Sequence, residues 1–436
     1  MASQQARVTL RNASAQAWVK GLPTKFPQQP TAKGLPNPKG VLLVNEAFYP
    51  LVDGVVNVVD NLYHSLADMG IHTHIATPTM PGYVDTHKHI TRLPSLLLFV
   101  SPPYRYPLKC NAEKYLPDDL ADKIDIVHLH SCFDNARSVM KWARKHNKKV
   151  MVTVHTKMYD KFASTFGRGR FSQFLYDRLN TVINQADMIT CPGEIFGAQI
   201  QREGIDSSKF HVVRNGVADW PTTTRAEREK LMLTDPVAER VAEARAAGKL
   251  ILLFVGQHIR EKNPHFLMRC LARLKAQGQD FFTLFVGGGD QTKDLMNLSR
   301  KLGIDGDVQF CGRVLDRTRL SMFYALADFM TFPSTFETAG LVVMEAAQHG
   351  LPTIGIEGSS GISEMLRHNE NGYLAPLDEE KYTQAIIDAA RDQTRYAAVR
   401  ERAASTIARH KDDMVDDFLE LYRAMLGKRR VLTAVP

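Results

Sequence analysis

The sequence predicts an α/β protein of two domains in series, each built on a parallel, doubly wound sheet. Three observations predict it. The chain has 436 residues, too many for one core of ordinary size. Short apolar runs alternate with amphipathic stretches along nearly its whole length. That alternation halts once, at a polar segment after Asn215-Gly216, and then starts afresh.

Gly40 to Asn45 is a short apolar run of the kind a buried parallel strand carries. A loop, Glu46 to Gly54, leads into a helix in which Val55, Val58, Val59, Leu62, Leu66 and Met69 recur at three- and four-residue steps. Thr73 to Thr77 is the next strand. The same grammar gives strands at Ile126–His130, Val150–His155, Met188–Cys191 and Phe210–Val213, with helices at Asn135–His146, Phe171–Gln185 and Glu194–Gln201. Trp220 to Arg225 reads as a linker. The second half repeats the pattern, with strands at Leu250–Gly256, Phe282–Val286, Val308–Phe310, Phe329–Phe332 and Pro352–Gly355. Helices are expected at Pro264–Gln277, Leu295–Leu302, Arg319–Ala327 and Asp412–Met425. The expected domains are a loose arm at 1–39, a first Rossmann-like domain at 40–216 and a second at 217–407. The last segment, 408–436, is expected to be a helix that crosses back to the first domain.

Hydrophobic residues make up 44% of the chain and charged residues 23%, an ordinary globular balance. The net charge of +8 favours anionic partners: nucleotide phosphates, anionic lipid headgroups or nucleic acid. The basic residues are scattered and form no nucleic-acid module, so nucleic acid is not an expected partner. Five cysteines, odd in number and without a C-x-x-C pair, argue against a disulfide framework or a zinc site and favour a reducing compartment. The sequence shows no signal-like apolar segment and no run approaching the roughly 20 residues that span a bilayer. The expected location is the cytoplasm, with peripheral contact to the inner face of the cell membrane if the substrate is a lipid.

The most informative segment runs from Pro333 to Ala346. A strand ends at Phe332, a tight loop carries Glu337, and a helix begins near Gly340 with Glu345 early in it; seven residues separate the two glutamates. The amides of Ala339, Gly340 and Leu341 at a helix N-terminus make an anion site. A pyrophosphate there leaves Glu337 able to reach sugar hydroxyls and Glu345 able to reach ribose hydroxyls. Gly287-Gly288-Gly289-Asp290 lacks the G-x-G-x-x-G spacing of a dinucleotide site.

This segment resembles the E-x7-E signature of retaining GT-B glycosyltransferases, in particular glycosyltransferase family four. The similarity runs from Val41 to Met425 and includes Tyr324 to Asp328, Gly358 to Glu364 and Asn371 to Pro376. The resemblance implies a GT-B fold, with two Rossmann-like domains facing a central cleft. It implies a retaining, metal-independent hexosyltransferase that uses a nucleotide-diphosphate sugar, UDP-glucose being the family-weighted donor, and needs no cofactor. Glu337 then contacts the donor sugar and Glu345 the ribose, while the amides of Thr338, Ala339, Gly340 and Leu341 hold sugar and phosphate. Lys262 matches the family lysine that neutralises the departing diphosphate. The usual arginine position holds Gln257, and Arg260 is the candidate replacement. Gly54 stands where the family often has two glycines near the donor phosphate, with Asp53 in place of the first. His155 matches the histidine beside the reaction centre, and Val314 falls in the segment that holds the base. His128 and His130 rank lower, as acceptor-side or structural groups.

The acceptor is read from the first domain. Tyr104 and Arg105 follow the apolar stretch Leu96–Val100. Between Tyr159 and Arg178, Lys161, Arg168 and Arg170 interleave with Phe162, Phe166, Phe171, Phe174 and Tyr176. Cations beside aromatics suit an anionic membrane interface, and these segments resemble glycosyltransferases that glucosylate diacylglycerol. A soluble glycan or small molecule stays open as acceptor. A basic binding protein or an inactive relative of the same fold is the non-enzyme alternative; Gln257 is the one feature that favours inactivity.

Overall fold

The computed structural model describes residues 32, 34–97, 105–221 and 233–427. The chain divides into two compact units. One joins the described residues up to Gly216 with those from Lys411 onward; the other is Val217–His410. Most of the expected N-terminal arm, the end of the Leu96–Val100 stretch, Tyr104 and most of the expected linker lie outside the described residues.

In the first unit, β1 (Gly40–Val44) leads to α1 (Gly54–Asp68), β2 (His72–Pro78) and β3 (Ile90–Leu93). A small hairpin of β4 (Ser95–Leu97) and β5 (Arg105–Pro107) follows, then α2 (Leu120–Lys123), β6 (Ile126–Leu129), α3 (Asp134–Lys145) and β7 (Lys149–Thr153). Next come α4 (Met158–Phe166), α5 (Arg170–Ile183), β8 (Met188–Cys191), α6 (Glu194–Arg202) and β9 (Phe210–Val212). Seven of these strands form one sheet in the order β3-β2-β1-β6-β7-β8-β9, and every neighbouring pair in it is parallel. Helices cover both faces of such a sheet, which is why β1 is buried at all five residues and reads as a continuous apolar run.

The second unit contains α7 (Pro236–Ala246), β10 (Leu250–Val255), α8 (Pro264–Ala276), β11 (Phe281–Val286), α9 (Thr292–Lys301) and β12 (Val308–Gly312). It continues with α10 (Arg317–Leu326), β13 (Phe329–Phe332), α11 (Leu341–Gln348), β14 (Thr353–Ile356), α12 (Ser360–Met365), β15 (Tyr373–Ala375), α13 (Glu379–Arg391) and α14 (Gln393–Thr406). Its parallel sheet has the order β12-β11-β10-β13-β14-β15. The last helix, α15 (Lys411–Gly427), belongs to the first unit. There Met414, Val415, Phe418 and Tyr422 share one core cluster with Val56, Val59 and Leu62 of α1 and Val41 and Leu43 of β1.

In both sheets the strand order reverses once, beside β1 in the first and beside β10 in the second. Loops leaving the carboxyl ends of the two strands at such a reversal splay apart and leave a crevice. In the second unit those strands are β10 and β13; in the first they are β1 and β6.

Candidate active site

The loop after β10 and the loop after β13 meet at the reversal in the second unit. Ser334 Oγ and the Thr335 amide donate to the Glu261 carbonyl at 3.3 Å and 3.4 Å, tying the two loops together. Lys262 Nζ forms an ion pair with Glu337 Oε1, and Ser334 Oγ donates to the same oxygen at 3.0 Å. Glu337 is buried, whereas the Lys262 side chain keeps 23% exposure. A buried carboxylate beside a half-buried ammonium is a polar pair with capacity to exchange partners: several lone pairs on one side, three donors on the other.

The backbone around the pair is held by glycine. Gly340 has φ +57°, and a Cβ there would lie 2.4 Å from Met365 Cε. The left-handed backbone favours glycine where the chain turns from Glu337 into α11, and a side chain there would press on Met365. The first amides of α11, at Leu341 and Val342, then face outward as at any helix start, on the side where Thr338 and Ala339 lead in. Across the neighbouring strands, a Cβ on Gly287 would sit 1.9 Å from the Gly256 carbonyl, so the loops after β10 and β11 touch backbone to backbone. Arg260 is exposed, opens the short 3-10 turn that carries Lys262, and makes no side-chain hydrogen bond or ion pair among the described residues. Val314 is half-buried and packs on the core of this unit.

Glu345 differs from its expected setting. It lies on the second turn of α11 and is only 8% exposed. Tyr324 Oη donates to Glu345 Oε2 at 2.9 Å. Burial raises the Glu345 carboxyl above the ordinary value, and the Tyr324 hydrogen bond pulls it back. The Tyr324 ring stacks on His349 with centroids 5.1 Å apart. His349 Nδ1 meets the Glu345 carbonyl at 2.9 Å. Glu345 is thus a positioned, desolvated acceptor, held by Tyr324, a contact that no sequence pattern marked.

In the first unit, a histidine array follows β6 and β7. His155 lies two residues beyond the end of β7 and is 8% exposed. Its Nε2 is 2.9 Å from His130 Nδ1, with the rings stacked at 15°. Burial lowers His155 to about 4 and holds His130 well below the ordinary imidazole range. Both rings are therefore neutral near pH 7. His128 is fully buried between Tyr422 Oη at 2.7 Å and Thr153 Oγ1 at 2.6 Å, so it joins α15 to the sheet. At the end of β1, burial pushes the Glu46 carboxyl up to about 8, while the Phe133 amide donates to its Oε1 at 3.2 Å. Glu46 is a residue the sequence reading missed: a lone acid following a buried strand, without a spaced partner to mark it.

Gly54 is the exposed first residue of α1. The Asp53 carboxylate caps that helix, accepting from the Val55 and Val56 amides at 2.9 Å each. An anionic cap satisfies these donors and offsets the positive helix end. The anion-binding potential at α1 is correspondingly lower than at α11, where Gly340 precedes the helix.

The residues read as facing an acceptor or membrane separate into two groups. Arg105 donates to Ser95 Oγ and to the Ser95 carbonyl, both at 2.9 Å, and so fastens the β4–β5 hairpin. Tyr159 packs edge-on against Tyr176 at 5.8 Å. By contrast Arg168 and Arg170 are exposed. Phe166, Phe171 and Phe174 beside them are 50%, 57% and 56% exposed. Among the described residues no helix is long and apolar enough to cross a membrane.

Two doubly wound parallel sheets, with a carboxylate, an ammonium and a glycine-led helix start at the reversal of one, define a Rossmann-type protein. Comparison with known proteins gives the family. Residues 52–219 match the family model Glycosyltransferase Family 4, and residues 238–406 match Glycosyl transferases group 1. The chain belongs to the GT-B glycosyltransferases. It is 26% identical over 300 residues to a glycogen synthase of Mycobacterium tuberculosis, covering 67% of each chain. It is 23% identical over 393 residues to an alpha-monoglucosyldiacylglycerol synthase of Streptococcus pneumoniae, covering 89% of this chain and 83% of that protein. Among solved structures, Anabaena HepE in complex with UDP-glucose superposes with a TM-score of 0.66 at 15% identity, over 89% of this chain and 99% of that one.

Proposed function

We propose that this glycosyltransferase is a retaining hexosyltransferase that moves glucose from UDP-glucose to the hydroxyl of a membrane lipid of the diacylglycerol type. The carrying observation is the Lys262–Glu337 pair beside the Gly340-led start of α11. In this reading the diphosphate takes the α11 amides, Lys262 and Arg260, while Glu337 is released to the sugar hydroxyls. Glu345, oriented by Tyr324, accepts from ribose. Amides and cations carry the diphosphate charge, so no metal ion is needed to hold it. The acceptor hydroxyl attacks C1 on the face that the diphosphate leaves. The C1–O bond to the diphosphate breaks, the new C1–O bond forms, and a leaving phosphate oxygen takes the acceptor proton. His155, neutral at working pH, is the first unit's candidate hydrogen-bonding group for the transfer step.

The pneumococcal lipid glucosyltransferase relative and the exposed Phe166, Phe171 and Phe174 support a lipid acceptor. The glycogen synthase relative favours a second reading, transfer to a soluble glycan. A panel of nucleotide sugars, screened by thermal shift, tests the donor, because a bound ligand raises apparent stability. Labelled UDP-glucose with diacylglycerol vesicles or a soluble glucan then tests the acceptor, and proton NMR of the product reads the anomeric configuration. Label in the organic phase as the α-glucoside is the expected result. A donor other than UDP-glucose, label retained in the glucan, or a β-product overturns the corresponding part.

A further inference from the structure

His72 and His74 are the first and third residues of β2, and alternate residues of a strand share one face. β3 lies parallel beside β2 with Ile75 opposite Ile90, and the Ile75 amide donates to the His89 carbonyl at 2.9 Å. That register sets His89 next to the other two. The His72 and His89 ring centroids are 4.8 Å apart, and those of His74 and His89 are 6.3 Å apart. One ligand nitrogen from each of the three lies within 4.8 Å of the others.

We propose that His72, His74 and His89 form a binding site for a divalent transition metal, of the Zn(II), Ni(II) or Cu(II) class, that clips the edge strand β3 to β2. Three imidazoles are a donor set for these ions. The cysteine pattern argues against a zinc site; histidines supply the ligands here instead. Nitrogens on a tetrahedral Zn(II) at about 2.0–2.1 Å stand roughly 3.4 Å apart. The three nitrogens therefore need to close by at most about 1.4 Å, a small side-chain rotation, and His89 is exposed and His72 half-buried.

His74 is already oriented. Its Nε2 lies 2.8 Å from Thr91 Oγ1. With Nε2–H donating to that hydroxyl, Nδ1 keeps its lone pair for the metal, the arrangement usual for a metal-bound imidazole. Lys123 and Asp119, which pair with each other and together carry no net charge, both stand near His72.

His72 opens β2, so the site is at the amino end of the parallel sheet. Glu46 and His155 follow the carboxyl ends of β1 and β7. A five-residue strand is about 16 Å long, so the metal holds structure and stands clear of the transfer chemistry. The inference does not depend on the proposed donor or acceptor.

The test uses the full chain without an affinity tag, stripped by chelator and dialysed. Zn(II) is titrated calorimetrically, and Co(II) is followed by visible absorption. The expected result is one saturable equivalent and a rise in Tm on Zn(II) addition. His89→Ala and His72→Ala abolish both, while Thr91→Val weakens binding about tenfold. His89 is exposed, so its variant keeps the metal-free Tm of the wild type. A neighbouring group, Asp60, His64 and His87, is the competitor, and His64→Ala is expected to leave binding unchanged. Absence of saturable binding, stoichiometric binding that survives both His89→Ala and His72→Ala, or loss in His64→Ala alone overturns the proposal.

Discussion

Lys262 and Glu337 are 75 residues apart in sequence yet form one ion pair, because the loops after β10 and β13 converge where the strand order reverses. The pair links stability to function. Removing one partner leaves a charge in a partly dry site; removing both leaves none. Lys262→Met alone should destabilise by about 2 kcal/mol, less than the roughly 3–5 of a fully buried pair because Lys262 stays partly wet. Lys262→Met combined with Glu337→Gln should recover most of that loss, a coupling that denaturant titration of the four proteins measures. Turnover should not recover. Loss of the cation opposite a leaving diphosphate costs about 10²–10³ in kcat.

Tyr324 donates to Glu345 within a desolvated setting, and both groups are raised by burial. Tyr324→Phe removes the hydrogen bond that holds the Glu345 carboxyl down. The carboxyl should therefore titrate higher than in the wild type. Affinity for UDP, measured by calorimetry, should fall between about 10- and 150-fold, as for the loss of one hydrogen bond to a charged group. The deficit should grow as the pH is lowered. Equal affinity at pH 6 and pH 8 in the variant would remove Tyr324 from the site.

The sheets were legible because parallel strands covered on both faces read as plain apolar runs, as β1 and β10 do. β3 and β15 escaped for the opposite reason. Each is an edge strand of four or three residues, too short for a run or an alternation to stand out. The spaced glutamates marked the loop and helix of the donor region. Their spacing could not tell that α10 packs against α11 and covers Glu345 with Tyr324, because that is a tertiary contact. Arg105 read as a surface cation for the same reason. Its partner, Ser95, is set by a hairpin pairing that no local pattern announces.

Glu46 and the histidines after β6 and β7 give stability two opposed pH slopes. The folded Glu46 holds its proton up to about 8, against about 4.5 in an unfolded chain. Over that window the native state binds more protons, so its contribution to stability falls as pH rises. His155, lowered to about 4, has the reverse effect: below about 6.5 the unfolded chain binds more protons, and stability falls as pH drops toward 4. Glu46→Gln should therefore be more stable than the wild type at pH 9 and gain nothing at pH 4.5. Urea titration at both values measures this. His155→Ala should lower kcat more than donor affinity. The wild-type kcat profile should show no inflection from this imidazole near 6.5.

The exposed faces of α4 and α5 carry the lipid reading. Phe166, Phe171 and Phe174 are half or more exposed, and Arg168 and Arg170 stand beside them. Burying an aromatic side chain contributes about 1.5–3 kcal/mol when complete, and each arginine near an anionic surface about 1 kcal/mol. Replacing the three phenylalanines by serine should weaken sedimentation with anionic vesicles by at least about tenfold while donor hydrolysis is unchanged. Arg168→Gln with Arg170→Gln should weaken it chiefly at low salt, where charges are least screened. The two sets of changes act on one surface by different forces, so salt should separate them: the serine variant loses binding at every ionic strength, the glutamine variant mainly below about 0.1 M. Vesicle binding that neither set alters, or no binding at low salt, would take the acceptor out of the membrane and leave the soluble glycan.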